Sequence, residues 1–380
     1  MEGTIEMNAK KLGFGLMRLP LLDAADSTKI DYETVNGMVD AFLKDGFTYF
    51  DTAAPYHGTY SEIAFRECVA KRYPRDAYTI TDKLSLHMVS GADKLEEFFA
   101  GQLERCGVDY FDIYLLHAVS GDRLGEAERI GAFEFMAKKK AEGKIRHIGF
   151  SFHDTADVLD DLLTKHPEME YVQLQLNYID WEDKDVQSRA CYEVCARHGK
   201  PVIVMEPVKG GLLASVAPEA EAVLQAAAPQ ASIASWAVRF AASLENVVMV
   251  LSGMSTPEQV ADNLASMRDF QPLTVAESET LDKAAQIVKS KESIACTACR
   301  YCVAGCPQNI AIPDYFRLMN QLSKFGDTHI GHAKWNYNHT VGEMGKGKAS
   351  ACIACGQCEG QCPQHLPIIE LLQKVAGTLE

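Results

Sequence analysis

Eight of the twelve cysteines in this chain follow one pattern, C-x2-C-x2-C-x3-C-P, which occurs twice. The two copies are Cys296, Cys299, Cys302 and Cys306 before Pro307, and Cys352, Cys355, Cys358 and Cys362 before Pro363. Cysteine thiolates at such short, regular spacings hold iron–sulfur clusters. The pattern therefore predicts one-electron chemistry in the last quarter of the sequence.

The doubled pattern resembles that of bacterial-type ferredoxins, which bind two [4Fe–4S] clusters. In those proteins the fourth cysteine of each run ligates the other cluster. The resemblance implies one ligand set of Cys296, Cys299, Cys302 and Cys362, and a second of Cys352, Cys355, Cys358 and Cys306.

Two other uses of cysteine fit the pattern less well. Structural zinc favours paired C-x2-C groups separated by a longer spacer. Disulfides need an oxidising compartment, whereas Met1–Lys11 is polar and has no apolar signal segment. We therefore expect a cytoplasmic protein with reduced, cluster-binding thiols.

Polar residues also end four successive β-rich runs in the earlier part of the chain. Asp51 is followed by Lys83 after 32 residues, by His117 after a further 34, and by Ser151 after 34 more. This is the length of a strand followed by a helix. The regular spacing predicts that these side chains meet at one edge of a parallel sheet.

The elements that would position these residues alternate between β-rich runs and amphipathic helical segments. Eight strands, each followed by a helix, favour a (β/α)8 TIM barrel of the α/β class. An open, doubly wound sheet is the competing architecture, but no G-x-G-x-x-G motif follows a strand. The predicted strands are 12–16, 49–52, 78–83, 111–117, 145–151, 171–177, 201–205 and 247–251.

This part of the chain resembles the aldo/keto reductases over roughly residues 10–270. The resemblance lies in Phe50–Glu62, Thr79–Lys83, Phe111–His117, Ile148–Ser151, Gln173–Tyr178 and Thr256–Asn263. The family's Asp, Tyr, Lys and His tetrad then falls on Asp51, Tyr56, Lys83 and His117. Singly, each of these residues would more often be structural, but together they favour catalysis.

Carbonyl reduction explains these residue types. Hydride addition builds negative charge on the carbonyl oxygen, and Tyr56 would donate the proton that neutralises it. A free tyrosine has a pKa of about 10, and we expect the Lys83 ammonium, held by Asp51, to lower it. His117 would orient or polarise the substrate oxygen.

The resemblance also implies a nicotinamide cofactor, NADPH or NADH. By position, Ser151 and Gln173 would hold its amide with Asn177 nearby, Met205 would pack on its ring, and Lys209 would face its pyrophosphate. Gln259 occupies the family's arginine position near the 2′-phosphate, and Asn263 matches an adenine contact. Because Ser252–Gln259 lacks lysine and arginine, a strong preference for NADPH is not expected.

Charge and hydropathy divide the chain into two parts. Residues 1–290 contain 29 basic and 45 acidic residues, whereas residues 291–380 contain 8 and 7. The acidic balance disfavours nucleic acid as a partner, and no apolar run is long enough to predict a membrane span. We predict a barrel domain over 1–285 and a small, mainly helical ferredoxin-like domain over 286–380.

Three functions follow as hypotheses. The first is an iron–sulfur oxidoreductase that interconverts a small-molecule carbonyl and its alcohol with NAD(P)H. In the second, ferredoxin or another redox partner protein supplies electrons through the clusters without nicotinamide. The third is an electron-transfer subunit with a non-catalytic barrel. A related alternative is that the clusters are only structural metal sites.

Overall fold

A computed structural model describes residues 10–23, 26–184, 186–291 and 294–380 of the chain. It contains two compact units. The first comprises Met1–Gly210 and Ser235–Thr274, and the second Gly211–Ala234 and Val275–Glu380. The predicted domain division after residue 285 stays a prediction.

The first unit is built on a closed barrel of eight parallel strands in sequential order, which confirms the (β/α)8 architecture. Every predicted strand is present, with ends within two residues of the prediction. The strands are β1 (Leu12–Gly15), β2 (Tyr49–Asp51), β3 (Thr79–Leu84), β4 (Phe111–Val119), β5 (Ile145–Phe152), β6 (Tyr171–Gln175), β7 (Val202–Met205) and β8 (Val247–Gly253).

Helices follow each strand along the chain. The first, for example, begins where the Asp31 carboxylate accepts a hydrogen bond from the Thr34 N–H. Up to β8 and just beyond it they are α1 (Tyr32–Lys44), α2 (Tyr60–Phe65), α3 (Leu95–Cys106), α4 (Gly121–Arg129), α5 (Ala132–Ala141), α6 (Ala156–Lys165), α7 (Ser188–Arg197), α8 (Pro218–Ala227), α9 (Ile233–Ser243) and α10 (Pro257–Met267).

The barrel interior is filled by alternate residues of the strands. Tyr49, Ile113, Leu115, Tyr171 and Ile203 form one buried cluster with Met249 and Leu251. Since side chains alternate between faces along a strand, residues two positions further on point the same way. Those residues include Asp51, His117, Gln173 and Met205, so the strand pattern that fills the core also carries the candidate site.

Gly149 in β5 is required by the closeness of two strands. A Cβ atom at this position would lie 2.2 Å from the Tyr171 carbonyl oxygen and 3.0 Å from Leu115 Cδ2. Because a backbone oxygen of a neighbouring strand cannot move aside easily, only glycine fits here.

The second unit is mainly helical, as predicted for the cluster domain. It has its own apolar core, which includes Ile312, Tyr315, Phe316, Ile368 and Leu372. Besides α8, its helices are α11 (Val275–Ser290), α12 (Tyr301–Ala304), α13 (Ile312–Phe325), α14 (Ile330–Gly342), α15 (Gln357–Gly360) and α16 (Ile368–Leu379).

The two cysteine runs are structural copies of each other. The short helices α12 and α15 begin at Tyr301 and Gln357, and α13 and α16 begin at Ile312 and Ile368. Both pairs are 56 residues apart, the same offset as Cys296 and Cys352. Left-handed backbone recurs at matching positions, at Ala298 and Ala354, at Arg300 and Gly356, and at Asn309 and His365.

Among the described residues, none of the helices combines the length and the apolar character that crossing a membrane requires.

Candidate active site and cluster-binding cysteines

The Lys83 ammonium is the centre of the candidate active site. Its Nζ donates to Asp51 Oδ1 at 2.6 Å and to the Thr52 carbonyl at 2.8 Å, and it lies 3.4 Å from the Tyr56 hydroxyl. Parallel pairing of β2 with β3 sets Asp51 beside Thr81, so Lys83 extends beyond it towards the strand ends. The structure thus brings Asp51, Tyr56 and Lys83 together.

A tight turn after β2 presents Tyr56. The next three residues, His57, Gly58 and Thr59, have positive φ angles of 51°, 58° and 77°. His57 Nε2 accepts a hydrogen bond from the Leu19 N–H at 3.3 Å, and Nδ1 lies 2.7 Å from the Ser27 carbonyl. These contacts tie the turn to the segment that follows β1.

Burial and charge act in opposite directions on the two central groups. Burial raises the pKa of Tyr56 above its ordinary value, and the nearby Lys83 ammonium offsets only part of this rise. Burial also opposes the charged form of Lys83, but Asp51 and Tyr56 outweigh it and raise the lysine pKa. The sequence predicts a net lowering of the Tyr56 pKa, and the structure differs because desolvation is the larger effect.

His117 completes the group as a neutral imidazole. Its Nδ1 lies 2.7 Å from Ser85 Oγ, and its ring stands perpendicular to the Tyr56 ring with the centroids 5.9 Å apart. Burial, followed by the positive charge of Lys83, lowers the pKa of His117 to about 2. If Ser85 donates to Nδ1, the ring carries its proton on Nε2 and can donate it to a ligand.

A buried hydrogen-bond network supports Lys83 from the opposite face of β3. Gln102 Nε2 donates to the Lys83 carbonyl and to Glu62 Oε1, both at 3.0 Å, and Arg105 pairs with Glu62. Asp82 Oδ1 accepts the Lys83 N–H at 2.8 Å. Burial and the adjacent Glu62 carboxylate raise the pKa of Asp82 well above its usual value.

The residues predicted to hold a nicotinamide ring lie at the ends of neighbouring strands. Gln173 Nε2 donates to Asp51 Oδ2 at 3.0 Å, and Ser151 Oγ accepts the Ala118 N–H at 2.7 Å. Asn177 donates to Asp180 Oδ2 at 2.8 Å. Met205 ends β7, so the structure places these side chains around the same end of the barrel.

The residues predicted to face the rest of a dinucleotide already have protein partners. Lys209 Nζ lies 2.6 Å from Asp180 Oδ1, so its charge is compensated. Asn263 Nδ2 donates to Ser252 Oγ at 2.9 Å, and Gln259 Oε1 accepts the Ser255 N–H at 2.7 Å.

Arg18 was not predicted from the sequence, and it supplies positive charge on this side of the barrel. A Cβ atom on Gly253 would lie 3.1 Å from Arg18 Cδ, and one on Gly210 would lie 3.3 Å from Arg18 Nη2. The guanidinium is therefore next to the loop after β7 and the end of β8. The Glu206 Oε1 atom lies 4.0 Å from Arg18 Nη2. Arg18 follows β1, and its position could have been inferred only from the closure of β1 on β8.

The cysteines form two groups of four in the second unit. One small apolar-lined cavity is bordered by Cys296, Cys299, Cys302 and Cys362. The other is bordered by Cys306, Cys352, Cys355 and Cys358. These are the two sets implied by the ferredoxin resemblance. Four converging thiols beside apolar side chains fit a cubane iron–sulfur cluster in each cavity.

The four remaining cysteines have a different character. Cys68, Cys106, Cys191 and Cys195 are buried in the first unit, and burial raises the pKa of each thiol. They are packed, unreactive thiols, as expected for scattered cysteines.

A closed parallel barrel that carries a buried Asp–Lys pair beside a half-buried Tyr at its carboxyl end is the scaffold of an oxidoreductase. Family models match at two places, the Aldo/keto reductase family over residues 11–286 and a 4Fe-4S dicluster domain over residues 295–366. The chain belongs to the aldo/keto reductase family and carries a 4Fe–4S dicluster domain.

Relatives support the same assignment. An aldo-keto reductase of Mycolicibacterium vanbaalenii is 31% identical over 247 residues, covering 64% of this chain and 80% of that protein. The NADH-specific methylglyoxal reductase of Escherichia coli is 23% identical, covering 70% of this chain and 92% of that protein.

Solved structures share the fold. An aldo-keto reductase from Klebsiella pneumoniae in complex with NADPH has a TM-score of 0.57 at 22% identity, covering 72% of this chain and 90% of that one. A thermostable aldo-keto reductase in complex with epalrestat has a TM-score of 0.58 at 24% identity, covering 72% and 94%.

Proposed function

We propose that the protein interconverts a small-molecule carbonyl compound and its alcohol, with Tyr56 as the general acid in reduction and the general base in oxidation. The observation that carries this proposal is the buried Lys83 ammonium, which Asp51 holds 3.4 Å from the Tyr56 hydroxyl. A structural ion pair would not require a tyrosine hydroxyl at this position.

The tetrad would act on the substrate oxygen. As negative charge develops there, Tyr56 donates its proton, and the Lys83 ammonium stabilises the phenolate that remains. Neutral His117, oriented by Ser85, donates a second hydrogen bond from Nε2 and fixes the oxygen in place. Asp51 keeps Lys83 charged and positioned.

The proposed hydride donor is NADPH or NADH. When bound, the nicotinamide would supply the hydride to the carbonyl carbon. Ser151, Gln173 and Asn177 would hold its amide, with Met205 against its ring. Lys209 and Arg18 would face the phosphates. Gln259 and Asn263 would contact the adenosine end. Two similar proteins support the choice of a nicotinamide cofactor. The methylglyoxal reductase of Escherichia coli is named NADH-specific, and the aldo-keto reductase from Klebsiella pneumoniae was solved in complex with NADPH.

The cluster domain would exchange electrons with a redox partner protein such as a ferredoxin. Two [4Fe–4S] clusters, each able to carry one electron, would supply the two electrons of a carbonyl reduction only in place of a nicotinamide hydride, as in the second candidate below. We propose that this domain occupies residues 286–380, that the barrel domain occupies 1–285, and that the protein works in the cytoplasm.

One observation favours a second candidate, in which the clusters supply electrons without nicotinamide. Lys209 is neutralised by Asp180, Gln173 is bonded to Asp51, and Asn177 is bonded to Asp180. Dinucleotide binding would have to break or share these contacts. The two candidates differ in the reductant that supports turnover.

The test compares reductants and one variant on anaerobically purified holoprotein with methylglyoxal and benzaldehyde as probes. We expect turnover with NADH or NADPH, and a loss of about 10²–10⁴-fold in kcat for Tyr56→Phe. Tyr60→Phe, four residues further on and exposed, is the matched control and should retain full activity. Turnover with dithionite-reduced ferredoxin but with neither nicotinamide would support the second candidate. An unchanged kcat in Tyr56→Phe would exclude Tyr56 as the acid.

A further inference from the structure

The barrel mouth beside His117 carries three more basic side chains that the tetrad does not use. His87 follows β3, Arg123 lies in the first turn of α4 after β4, and His153 follows β5. All three side chains are exposed. They belong to three neighbouring strand-to-helix connections, so they border one sector of the mouth.

Hydrogen bonds to the backbone of Ala118 and Val119, the two residues after His117, place Arg123 and His153 beside this end of β4. Arg123 Nη1 donates to the Ala118 carbonyl at 3.2 Å, and the His153 N–H donates to the Val119 carbonyl at 3.0 Å. Ala118 has a positive φ of 54°, which turns the chain at this point. The guanidinium is therefore anchored one residue beyond the candidate catalytic histidine.

Electrostatics agree with this geometry. After burial and Lys83, the groups that lower the pKa of His117 are His87, His153 and Arg123. Arg123 therefore places a positive charge at this sector in an otherwise acidic part of the chain, where residues 1–290 contain 45 acidic and 29 basic residues.

Unlike other arginines of the first unit, Arg123 has no carboxylate partner among the side chains that the structure describes. Arg72 pairs with Asp40, and Arg105 pairs with Glu62. No ion pair within 4.0 Å joins Arg123 to a carboxylate of the residues that the structure describes. The nearby Asp154 carboxylate instead accepts the Gly121 N–H at 2.8 Å and the Thr155 N–H at 2.7 Å, where it caps the start of α4.

The proposed cofactor would not supply the missing anion. Its phosphates are assigned to Arg18 and Lys209, which follow β1 and β7. In the closed order β1 to β8, β1 and β8 are neighbours on one side of the barrel, and β4 and β5 lie on the opposite side. An anion beside Arg123 would therefore belong to the substrate.

We propose that the substrate carries an anionic group, a carboxylate or a phosphate, which Arg123 binds with His153 and His87 while the carbonyl lies at Tyr56 and His117. This inference rests on the proposed function. Arg123 is then a specificity-determining residue, because a charge-assisted hydrogen bond to it is available only to substrates that carry the anion.

The test measures kcat/KM for matched aldehydes. Succinic semialdehyde and 4-carboxybenzaldehyde are each compared with their methyl esters, and glyceraldehyde 3-phosphate is compared with glyceraldehyde. We expect a preference for the acid or for the phosphate, and which of the two is preferred identifies the anion. Arg123→Gln should lower kcat/KM for the preferred anionic aldehyde about 10- to 100-fold and leave the neutral one within about twofold. Arg129→Gln, at an exposed pair with Glu126 on the same helix, should change neither.

Equal rates for every charged and neutral pair, or an unchanged preference in Arg123→Gln, would overturn the proposal. If no aldehyde is reduced with any reductant, the proposed function fails instead. Calorimetric binding of 4-carboxybenzaldehyde and its methyl ester without a reductant then still tests Arg123. Binding of the acid that Arg123→Gln weakens supports the anion site, and equal binding of acid and ester contradicts it.

Discussion

At the scale of single residues, the chemistry of the site is set by competition between burial and one cation. Tyr56 is kept protonated because desolvation raises its pKa more than Lys83 lowers it. His117 is kept neutral because burial and positive neighbours lower its pKa to about 2. The site therefore presents two proton donors to a substrate oxygen at neutral pH.

These pKa directions predict the pH dependence of activity. For reduction of an uncharged carbonyl such as methylglyoxal, which does not use the proposed anion site, kcat/KM should be flat between about pH 6 and 9, because no group of the tetrad is expected to titrate there. It should fall only as the pH rises through the Tyr56 pKa above about 10, where the acid is lost. Alcohol oxidation needs the phenolate, so its rate should rise with pH up to the same pKa. Initial rates in both directions measure these profiles.

An acid limb near pH 6.5 in the reduction profile would contradict the neutral assignment of His117. The variant His117→Gln serves as the control, because it removes the titratable ring. A limb that persists in this variant would come from another group.

Asp51, Lys83 and His117 could be predicted from the sequence because they end successive strands at a regular spacing, whereas Tyr56 was predicted from the resemblance to the aldo/keto reductases. Ser85 could have been found in the same way, since it continues the alternation of Thr81 and Lys83. Arg18 and Arg123 could not, because their positions depend on barrel closure and on the path of a loop. The network of Glu62 and Asp82 also depends on packing between β3 and its neighbouring helices.

At the scale of elements, the same inward-pointing strand positions serve two purposes. Those in the middle of the strands fill the barrel core, and those at the carboxyl ends form the candidate site. The eight strands were predictable from short β-rich runs between helical segments. Details set by close packing were not, such as the π-helical turn Arg66–Ala70 after α2 or the two residues by which β4 extends beyond His117.

The contact between β5 and β6 gives a test of this packing. Gly149→Ala should lower the melting temperature clearly, because its Cβ would overlap the Tyr171 carbonyl oxygen, and such overpacking costs about 1–3 kcal/mol. Gly37→Ala is the matched control. Gly37 lies in α1, and a Cβ added there would meet no neighbouring group of the described residues within 4 Å, so alanine should stabilise the helix by about 0.5–1 kcal/mol. Equal melting temperatures for Gly149→Ala and the natural protein would show that β5 and β6 are farther apart.

The repeated cysteine loops allow a test of the crossed ligand sets by iron counting. The double variant Cys296→Ala with Cys362→Ala removes two ligands of one proposed cluster, so it should keep the other cluster and about half of the iron. Cys296→Ala with Cys306→Ala removes one ligand from each cluster and should lose most of the iron. The reverse pattern would mean that each run ligates its own cluster. Cys191→Ala, a buried thiol outside both sets, is the control.

At the scale of the whole molecule, a two-electron barrel and a pair of one-electron sites occur in one chain. The acidic charge lies almost entirely in residues 1–290, while residues 291–380 are close to neutral. The cysteine spacing alone predicted the cluster domain, because ligand geometry leaves little freedom in sequence. The substrate is less predictable, since specificity in such barrels depends on loops.

The most direct test of the central claim follows the hydride itself. Holoprotein is mixed anaerobically with methylglyoxal and NADH or NADPH in which both C4 hydrogens are replaced by deuterium, and the alcohol is analysed by mass spectrometry and NMR. We predict deuterium on the carbinol carbon, formed at least about 100-fold more slowly in Tyr56→Phe. Alcohol that forms without deuterium, or that forms equally well from dithionite-reduced clusters in the absence of nicotinamide, would contradict the account.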